Sequence, residues 1–450
     1  MSGRRAANTA AAPAKPPSPR PVGLASRRLG LIAGACVLPR LAVLLYERGS
    51  ILASFTEKSD DFARTFVDSG TYGFVPGLPS AWTQPLYGWF LIPIYWIFGR
   101  SWWAVGPIQI LAAMATAFLV YEIGRRFVSA RVGLAAALIS TLNPYLIWHD
   151  VHVNREILDQ LLAAAIVLLA MLAAERRSVW LAGALGTVAG LAILGNSRLT
   201  FLPLLLIAFL AWHRRAWRPT MVASAALVAA CVLVILPWPI RNDVQVGCFT
   251  LTTDTRALWK ANNENTYRVL AHGGWIDDVP PLPGAPLTPE QAADYWKTQH
   301  RKIRVDECAQ MRLYRHLVWI YWRDHPGGKL KLAAQAAGMF WSPRQTKTEG
   351  RSEQGTTVDT LRSWAEPAYV IPLYILALAG VARVPRRLAV LVGGLLAYQT
   401  VAAMAFAGAT RYRSPWESTI ALFAGAGLVG LSERLLPLGG ALRRRSASTG

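Results

Sequence analysis

Three kinds of residue in this sequence could do chemistry, and all sit just outside long apolar runs. The first is a set of carboxylates, Glu57, Asp60 and Asp61, in the segment TEKSDDFARTF. Carboxylates held close together near apolar walls gain basicity and can take a proton from an incoming hydroxyl. The same residues also read as a solvated acidic turn. The second is HDVHVNRE, with His149, His152 and Glu156. On one continuous helix these three would share a face, a geometry compatible with metal ligation. The spacing is loose for a metal set, however, and the same groups suit a polar acceptor. No metal or cofactor is expected. Glu156 stands out, because an acid at the end of a span is costly without a partner or a task.

The third kind is arginine where apolar runs end: Arg198 in GNSRLT, and Arg411 and Arg413 in ATRYRSPW. Guanidinium binds phosphate through paired hydrogen bonds, so a phosphate at the membrane surface would explain these cations. Snorkelling, or pairing with nearby acids such as Glu417, would also explain them. Arg40 lies inside an apolar run, must face protein, and is expected to pair with an acid of the first outer loop. After another run come Trp259, Asn262 and Asn263 in LWKANNENT, an aromatic face and amides that suit a carbohydrate and equally suit any polar loop.

Positioning these groups falls to a membrane bundle. The chain has 450 residues, 53% of them hydrophobic, with 18 tryptophans. That is too much apolar surface for one water-soluble core. Apolar runs at 29–46, 103–123, 132–149, 157–174, 179–196, 199–212, 219–239, 367–382, 388–408 and 415–431 predict about ten crossings. The formal charge of +21 raises nucleic acid as a partner, but the distribution of the charge answers otherwise. If 84–98 lies on the outer face as a juxtamembrane helix, the inner segments collect 21 Lys and Arg against three acids, as the positive-inside rule requires. If 84–98 crosses, the four basic clusters from Arg125 to Arg387 all break the rule. No nucleic acid partner is expected.

The predicted organisation is a disordered inner tail at 1–28, an N-terminal transmembrane module at 29–239 with its first outer loop at 47–102, and a large outer region at 240–366. C-terminal membrane helices at 367–432 and an inner tail at 433–450 complete it. The 127-residue outer region carries 17 Lys and Arg against 14 Asp and Glu and reads as a small subdomain. It should contain one helix over 290–324, opened by a Thr-Pro-Glu start, and an amphipathic membrane-surface helix over 329–340. The Pro-Trp pair at 237–238 should end the seventh span. Cys248 and Cys308 fall in this region and either pair or stay free. Transport or lipid flipping is the alternative function, and Arg40 fits it. The collection of polar groups at one face, beside a large outer region, favours an enzyme.

In order along the chain, these pieces resemble the GT-C superfamily of membrane glycosyltransferases. The likeness is to the glycosyltransferase family 39 group, which includes protein O-mannosyltransferases and the aminoarabinose transferase of lipid A. DDFARTFVDSGTYGF looks like that family's first-loop acidic motif, and PSAWTQPLYGWFLIPIYWIFGRSWW like its outer Pro-Tyr stretch. NPYLIWHDVHVNREIL resembles its second acidic site, and RYRSPWES its Arg-containing turn. The resemblance implies an all-α polytopic bundle that transfers a sugar, with inversion, from a polyprenyl-phosphate carrier to a hydroxyl of a glycan, lipid or protein. Asp60 or Asp61 would be the base, with Glu57 a rival and Glu156 a second acid. Arg411, Arg413, Arg198 and Arg40 would hold the donor phosphate. Tyr87, His152, Trp259, Asn262, Asn263 and Tyr412 would contact substrate. High Ala, Arg and Gly point to a bacterial plasma membrane, with the site facing outward.

Overall fold

The structure, a computed structural model, describes residues 22–53, 56–214, 217–344 and 356–447. The helices are α1 (Val22–Glu47), α2 (Lys58–Ser69), α3 (Pro85–Phe98), α4 (Trp102–Phe127), α5 (Ala130–Thr141), α6 (Pro144–His149), and α7 (Glu156–Arg176). There follow α8 (Val179–Gly195), α9 (Leu202–Arg214), α10 (Trp217–Ile235) and α11 (Pro237–Val246). The outer region holds α12 (Arg256–Lys260), α13 (Thr266–Ala271), α14 (Pro289–Gln299), α15 (Glu307–Asp324) and α16 (Pro326–Trp341). The chain ends with α17 (Thr356–Gly380), α18 (Arg386–Ala405) and α19 (Thr410–Ala447). The protein is all-α. Extended pairing among the described residues is limited to one isolated bridge, Val75 to Leu78, in the first outer loop.

Among the described residues, six helices are long and apolar enough to cross a membrane: α1 with the 3-10 turn after it, α4, α7, α10 continuing into α11, α17 and α18. The helices α3, α5, α8 and α9 are apolar but shorter. The main core joins α4, α5, α7, α8, α9, α10, α17, α18 and α19 through Leu185, Leu206, Leu227, Leu388, Leu395 and Phe423. Small residues let these helices approach closely. A Cβ on Gly186 would sit 2.1 Å from the Leu227 carbonyl, and one on Gly380 would sit 1.9 Å from that of Phe423. Such contact is the usual basis of helix association in lipid, where no hydrophobic drive between helices exists.

Several elements depart from the pattern of apolar runs. The run 132–149 is two helices, because the chain turns at Leu142 and Asn143, whose side chain caps α6 by accepting from the amides of Tyr145 and Leu146. Helix α10 ends at Ile235, just before the Pro-Trp pair, but the pair does not end the helical path, which resumes at once as α11. Pro237 takes the first position of α11, where a missing N–H is tolerated, and the Ile240 amide still reaches the Leu236 carbonyl. The single helix expected over 290–324 is split into α14 and α15. His300 adopts a left-handed conformation that closes α14, and residues 301–306 form no regular element before Asp306 caps α15. Of the expected tails, residues 1–21 lie outside the described residues, α1 is already helical from Val22, and α19 continues through 433–447.

Helix α3 has 14 residues, about 21 Å at the helical rise, against a hydrocarbon core of about 30 Å. It packs on α2 and α4 through Tyr87, Leu91, Ile94 and Tyr95 and exposes Trp96 and Ile97 at its far end. The outer region is stapled by a disulfide between Cys248 and Cys308, which ties the end of α11 to the start of α15.

Candidate active site

Two connections between helices meet at Glu57. Its backbone amide donates to the Val153 carbonyl at 3.1 Å, which fastens the first outer loop to the turn that precedes α7. Glu156 opens α7, so both carboxylates lie at helix N-termini, where the peptide dipoles favour negative charge. Arg411, in the first turn of α19, lies between them. Its Nε donates to Glu156 at 2.8 Å, and its Nη2 contacts both Glu156 and Glu57. Glu156 is buried, whereas the side chains of Glu57 and Arg411 keep 19% and 27% of their exposure. Three distant segments therefore converge on a site open to a ligand. Burial pushes the Glu57 carboxyl up, but Arg411, Arg155 and Lys58 outweigh it and hold the group below the usual carboxylate range.

Two more guanidinium groups join this cluster. Arg155, half-buried, donates to Gln84 at 3.3 Å, and its Nε is buried with no hydrogen-bond partner among the described residues. Arg198 has no carboxylate partner there either; its guanidinium lies 3.2 Å from the centre of the Tyr412 ring and 4.3 Å from that of Phe406. Glu156 Oε2 is likewise buried and unpartnered. Leaving such groups unpaired costs about 1–3 kcal/mol each, more when charged, so the cluster has room in its hydrogen bonding for a ligand that offers both acceptors and donors. A phosphate bearing a sugar offers both.

The other sequence candidates fall elsewhere. Asp60 is 3% exposed, accepts from the Tyr95 hydroxyl at 2.5 Å, and takes a two-pronged grip from Arg100 at 3.0 and 2.7 Å. Arg100 also donates to the Leu52 carbonyl, so Asp60 clamps α2 to α3 and the preceding loop. Asp61 lies at the rim, half-exposed, 3.5 Å from Lys297 of α14 and 3.8 Å from Arg64. Lys58 reaches Asp254 and Glu290, each at 3.3 Å. Helix α2 is thus held to the outer region by opposite charges.

Arg40 pairs with Asp150 of the second outer turn, at 2.8 Å and 1% exposure on each side, and not with the first loop. It donates also to the Thr141 carbonyl, which satisfies the group inside the bundle and leaves it no route to a phosphate. Arg413 is fully buried and saturated by Glu417 at 2.5 Å, Glu366 at 3.2 Å and the carbonyls of Phe340 and Ser342. His149, His152 and Glu156 do not share a helical face, because α6 ends at His149 and α7 starts at Glu156. His149 stacks on Tyr145, and His152 on Trp148 with Glu47 at 3.8 Å. Tyr87 is buried and donates to Gln109 at 2.6 Å.

Asn262 and Asn263 do not line an open cleft. Asn262 is 0% exposed and holds Lys329 and Trp322, while Asn263 caps its own loop through the Trp259 carbonyl. Trp259 is half-buried against Tyr314. Of the predicted site, Glu57, Glu156, Arg411, Arg198 and Tyr412 come together. Sequence reasoning missed Arg155 as a member, although it stands beside Glu156, and it missed Arg100 as the partner of Asp60.

Comparison with known proteins bears on the family likeness and the fold. Residues 80–240 match the family described as dolichyl-phosphate-mannose-protein mannosyltransferase. No curated protein matches the chain. Among solved structures, the oligosaccharyltransferase AglB from Archaeoglobus fulgidus, in complex with an inhibitory peptide and a dolichol-phosphate, aligns with a TM-score of 0.52 at 13% identity over 94% of this chain. The apo form of an oligosaccharyltransferase from the same organism aligns at 0.51, also at 13% identity, over 93%. This chain spans 52% of the length of each of those chains. ArnT from Cupriavidus metallidurans, bound to undecaprenyl phosphate, aligns at 0.42 and 14% identity, over 91% of this chain and 78% of that one. The matched segment, residues 80–240, is thus similar to a mannosyltransferase family, and the chain shares the fold of these oligosaccharyltransferases.

Proposed function

We propose that this protein transfers a sugar from a polyprenyl-phosphate carrier to an acceptor hydroxyl on the outer face of a bacterial plasma membrane, with inversion, and that Glu57 is the base. The observation that carries the reading is the sharing of Arg411 between Glu57 and Glu156, with Arg155 and Arg198 close by. A donor phosphate at Arg411, Arg155 and Arg198 would draw the guanidinium charge to itself. Glu57, released from its partner, becomes more basic and takes the proton of the acceptor hydroxyl as that oxygen bonds to the anomeric carbon. The bond from the anomeric carbon to the phosphate oxygen breaks on the opposite side, and its electron pair leaves on the phosphate. Guanidinium groups already in place stabilise that growing charge, the kind of pre-arranged electrostatics that dominates many enzyme rates. Glu156 Oε2 is left to accept from a sugar hydroxyl.

Asp60 and Asp61 were the first choices by motif, and geometry favours Glu57 over both. Asp60 has its oxygens committed to Tyr95 and Arg100, and Asp61 lies out at the rim beside Lys297. Dolichol-phosphate in the archaeal structure of the same fold supports a lipid-linked donor. The disulfide supports an oxidising, outward placement of the large region. The test is to incubate the purified chain with radiolabelled polyprenyl-phosphate sugars and to follow the anomeric configuration of the product. Transfer from a nucleotide sugar alone, or full activity of Glu57→Gln, would overturn the assignment.

A further inference from the structure

Glu307, the first residue of α15, is a buried carboxylate outside the Arg411 cluster, with 5% of its surface exposed. Its Oε2 accepts from the Thr253 hydroxyl at 2.6 Å and from the Ala81 amide at 3.1 Å. Thr253 belongs to the stretch after α11, and Ala81 to the loop before α3, so one carboxylate ties together segments far apart in sequence. A buried carboxylate is costly unless its oxygens are hydrogen-bonded, and bonds to an ionised acceptor are shorter and stronger than neutral ones. Glu307 is therefore a firm point of attachment for whatever Ala81 carries.

What Ala81 carries is a buried strip that leads to the active site. Ser80, Ala81, Trp82 and Thr83 are each 7% exposed or less. The Ala81 carbonyl accepts from the Thr253 amide at 2.9 Å, the Trp82 carbonyl from the Thr252 hydroxyl at 3.0 Å, and the Ser80 carbonyl from Arg241 at 2.8 Å. Arg241 lies on α11 ahead of Cys248, and Glu307 stands next to Cys308. The Cys248–Cys308 disulfide thus links the two arms that grip the strip. Gln84 follows three residues beyond Ala81, a reach of at most about 11 Å. Its Oε1 accepts from Arg155 Nη1 at 3.3 Å, and its Nε2 donates to the Ser197 hydroxyl at 3.2 Å. Because Ser197 precedes Arg198, Gln84 bridges the two turns that carry Arg155 and Arg198.

We propose that Glu307 is a positioning residue for the donor phosphate, which fixes residues 80–84 and, through Gln84, sets where Arg155 stands relative to Arg198. This rests on the donor-phosphate assignment above and adds to it a part for the 240–366 region in donor affinity. Two guanidinium groups can share one phosphate only if their supports hold them to within about 0.5 Å of the productive geometry. A glutamine side chain on a loose backbone would not set that spacing. Glu307 touches no substrate and acts only through the backbone it holds.

The test measures the Kd of radiolabelled undecaprenyl phosphate, the carrier without its sugar, for the full chain in detergent by scintillation proximity. Glu307→Ala should raise it at least fivefold. Glu307→Gln, whose amide oxygen still accepts from Thr253 and Ala81, should stay within twofold. Gln84→Leu should raise Kd as Glu307→Ala does, and the two together should do no more than either alone, because they act in series. A role confined to stability would lower the folded yield and the melting temperature and leave the Kd of the folded fraction unchanged. If Glu307→Ala does not fold, Thr253→Val removes one donor while keeping the shape, and a rise of about threefold is expected. An unchanged Kd in the folded variants, multiplied effects in the double variant, or a loss in Glu307→Gln equal to that in Glu307→Ala would overturn the proposal and leave the transferase reading intact. The expected shifts in a chain that transfers no sugar would do the reverse. Absence of binding by the unaltered chain would remove the donor phosphate and the proposal with it.

Discussion

Arg411 and Arg413 stand two residues apart on α19 and have opposite surroundings. At 100° per residue they lie about 160° apart around the helix, so the motif RYR sends one guanidinium to the open site and the other into the bundle. Arg413 is closed on all sides by two carboxylates and two carbonyls and is 0% exposed. Arg411 keeps access to solvent, shares its two carboxylates with a site that still contains unpartnered atoms, and has Arg155 and Arg198 for neighbours. A saturated ion cluster is architecture, and an unsaturated one awaits a ligand.

The comparison can be broken most directly at Arg413. Arg413→Met leaves Glu366 and Glu417 buried without their cation, and loss of one partner of a buried pair costs about 3–5 kcal/mol. Thermal unfolding in detergent should show a large drop or no folded protein at all, whereas Arg411→Met should remain folded. A melting temperature of Arg413→Met equal to that of the unaltered chain would undo the division. Glu57→Gln should lower transfer about 10³-fold, within the usual range for a general base, with membrane yield unchanged.

Arg411→Lys should sharpen the contrast at smaller cost. It keeps the charge and loses the planar fork, so KM for the donor should rise about tenfold with a folded chain, as steady-state rates against donor concentration would reveal. The pH dependence follows from the charge beside Glu57. The ionised carboxylate is the active form, and Arg411 favours it, so kcat/KM should persist below the ordinary carboxylate value of about 4.3. In Arg411→Gln the carboxyl rises and the acid limb should move to higher pH. For stability the sign is that of a depressed acid: the contribution is present above the unfolded value and is lost as pH falls through the folded one. The smallest effect belongs to Asp61→Asn, which should change transfer by no more than about threefold, because an exposed pair contributes little. A hundredfold loss there would return the base to the acidic pair.

Much of the fold was legible because its signals are local. Apolar runs located most of the helices, and the unusual cost of charge in lipid marked Glu156, Arg40 and the outer arginines as groups needing partners. The short apolar stretch at 84–98 was read as non-spanning from length and charge, and α3 is indeed short. The breaks were less legible. Asn143 capping α6, Pro237 tolerated at the start of α11 and His300 closing α14 each depend on a backbone conformation that a hydrophobic pattern does not carry.

Residue types and their order along the chain were sufficient to declare a helical membrane protein with acids and arginines gathered beyond its spans. Which acid faces which arginine was decided only in three dimensions. Asp60 outranked Glu57 as a motif, yet the choice between them turned on Arg100 and Arg411, which lie 40 and 354 residues away in sequence from the carboxylates they hold. Electrostatic partnership depends on distance through space, and a linear chain encodes that distance only once its helices have packed.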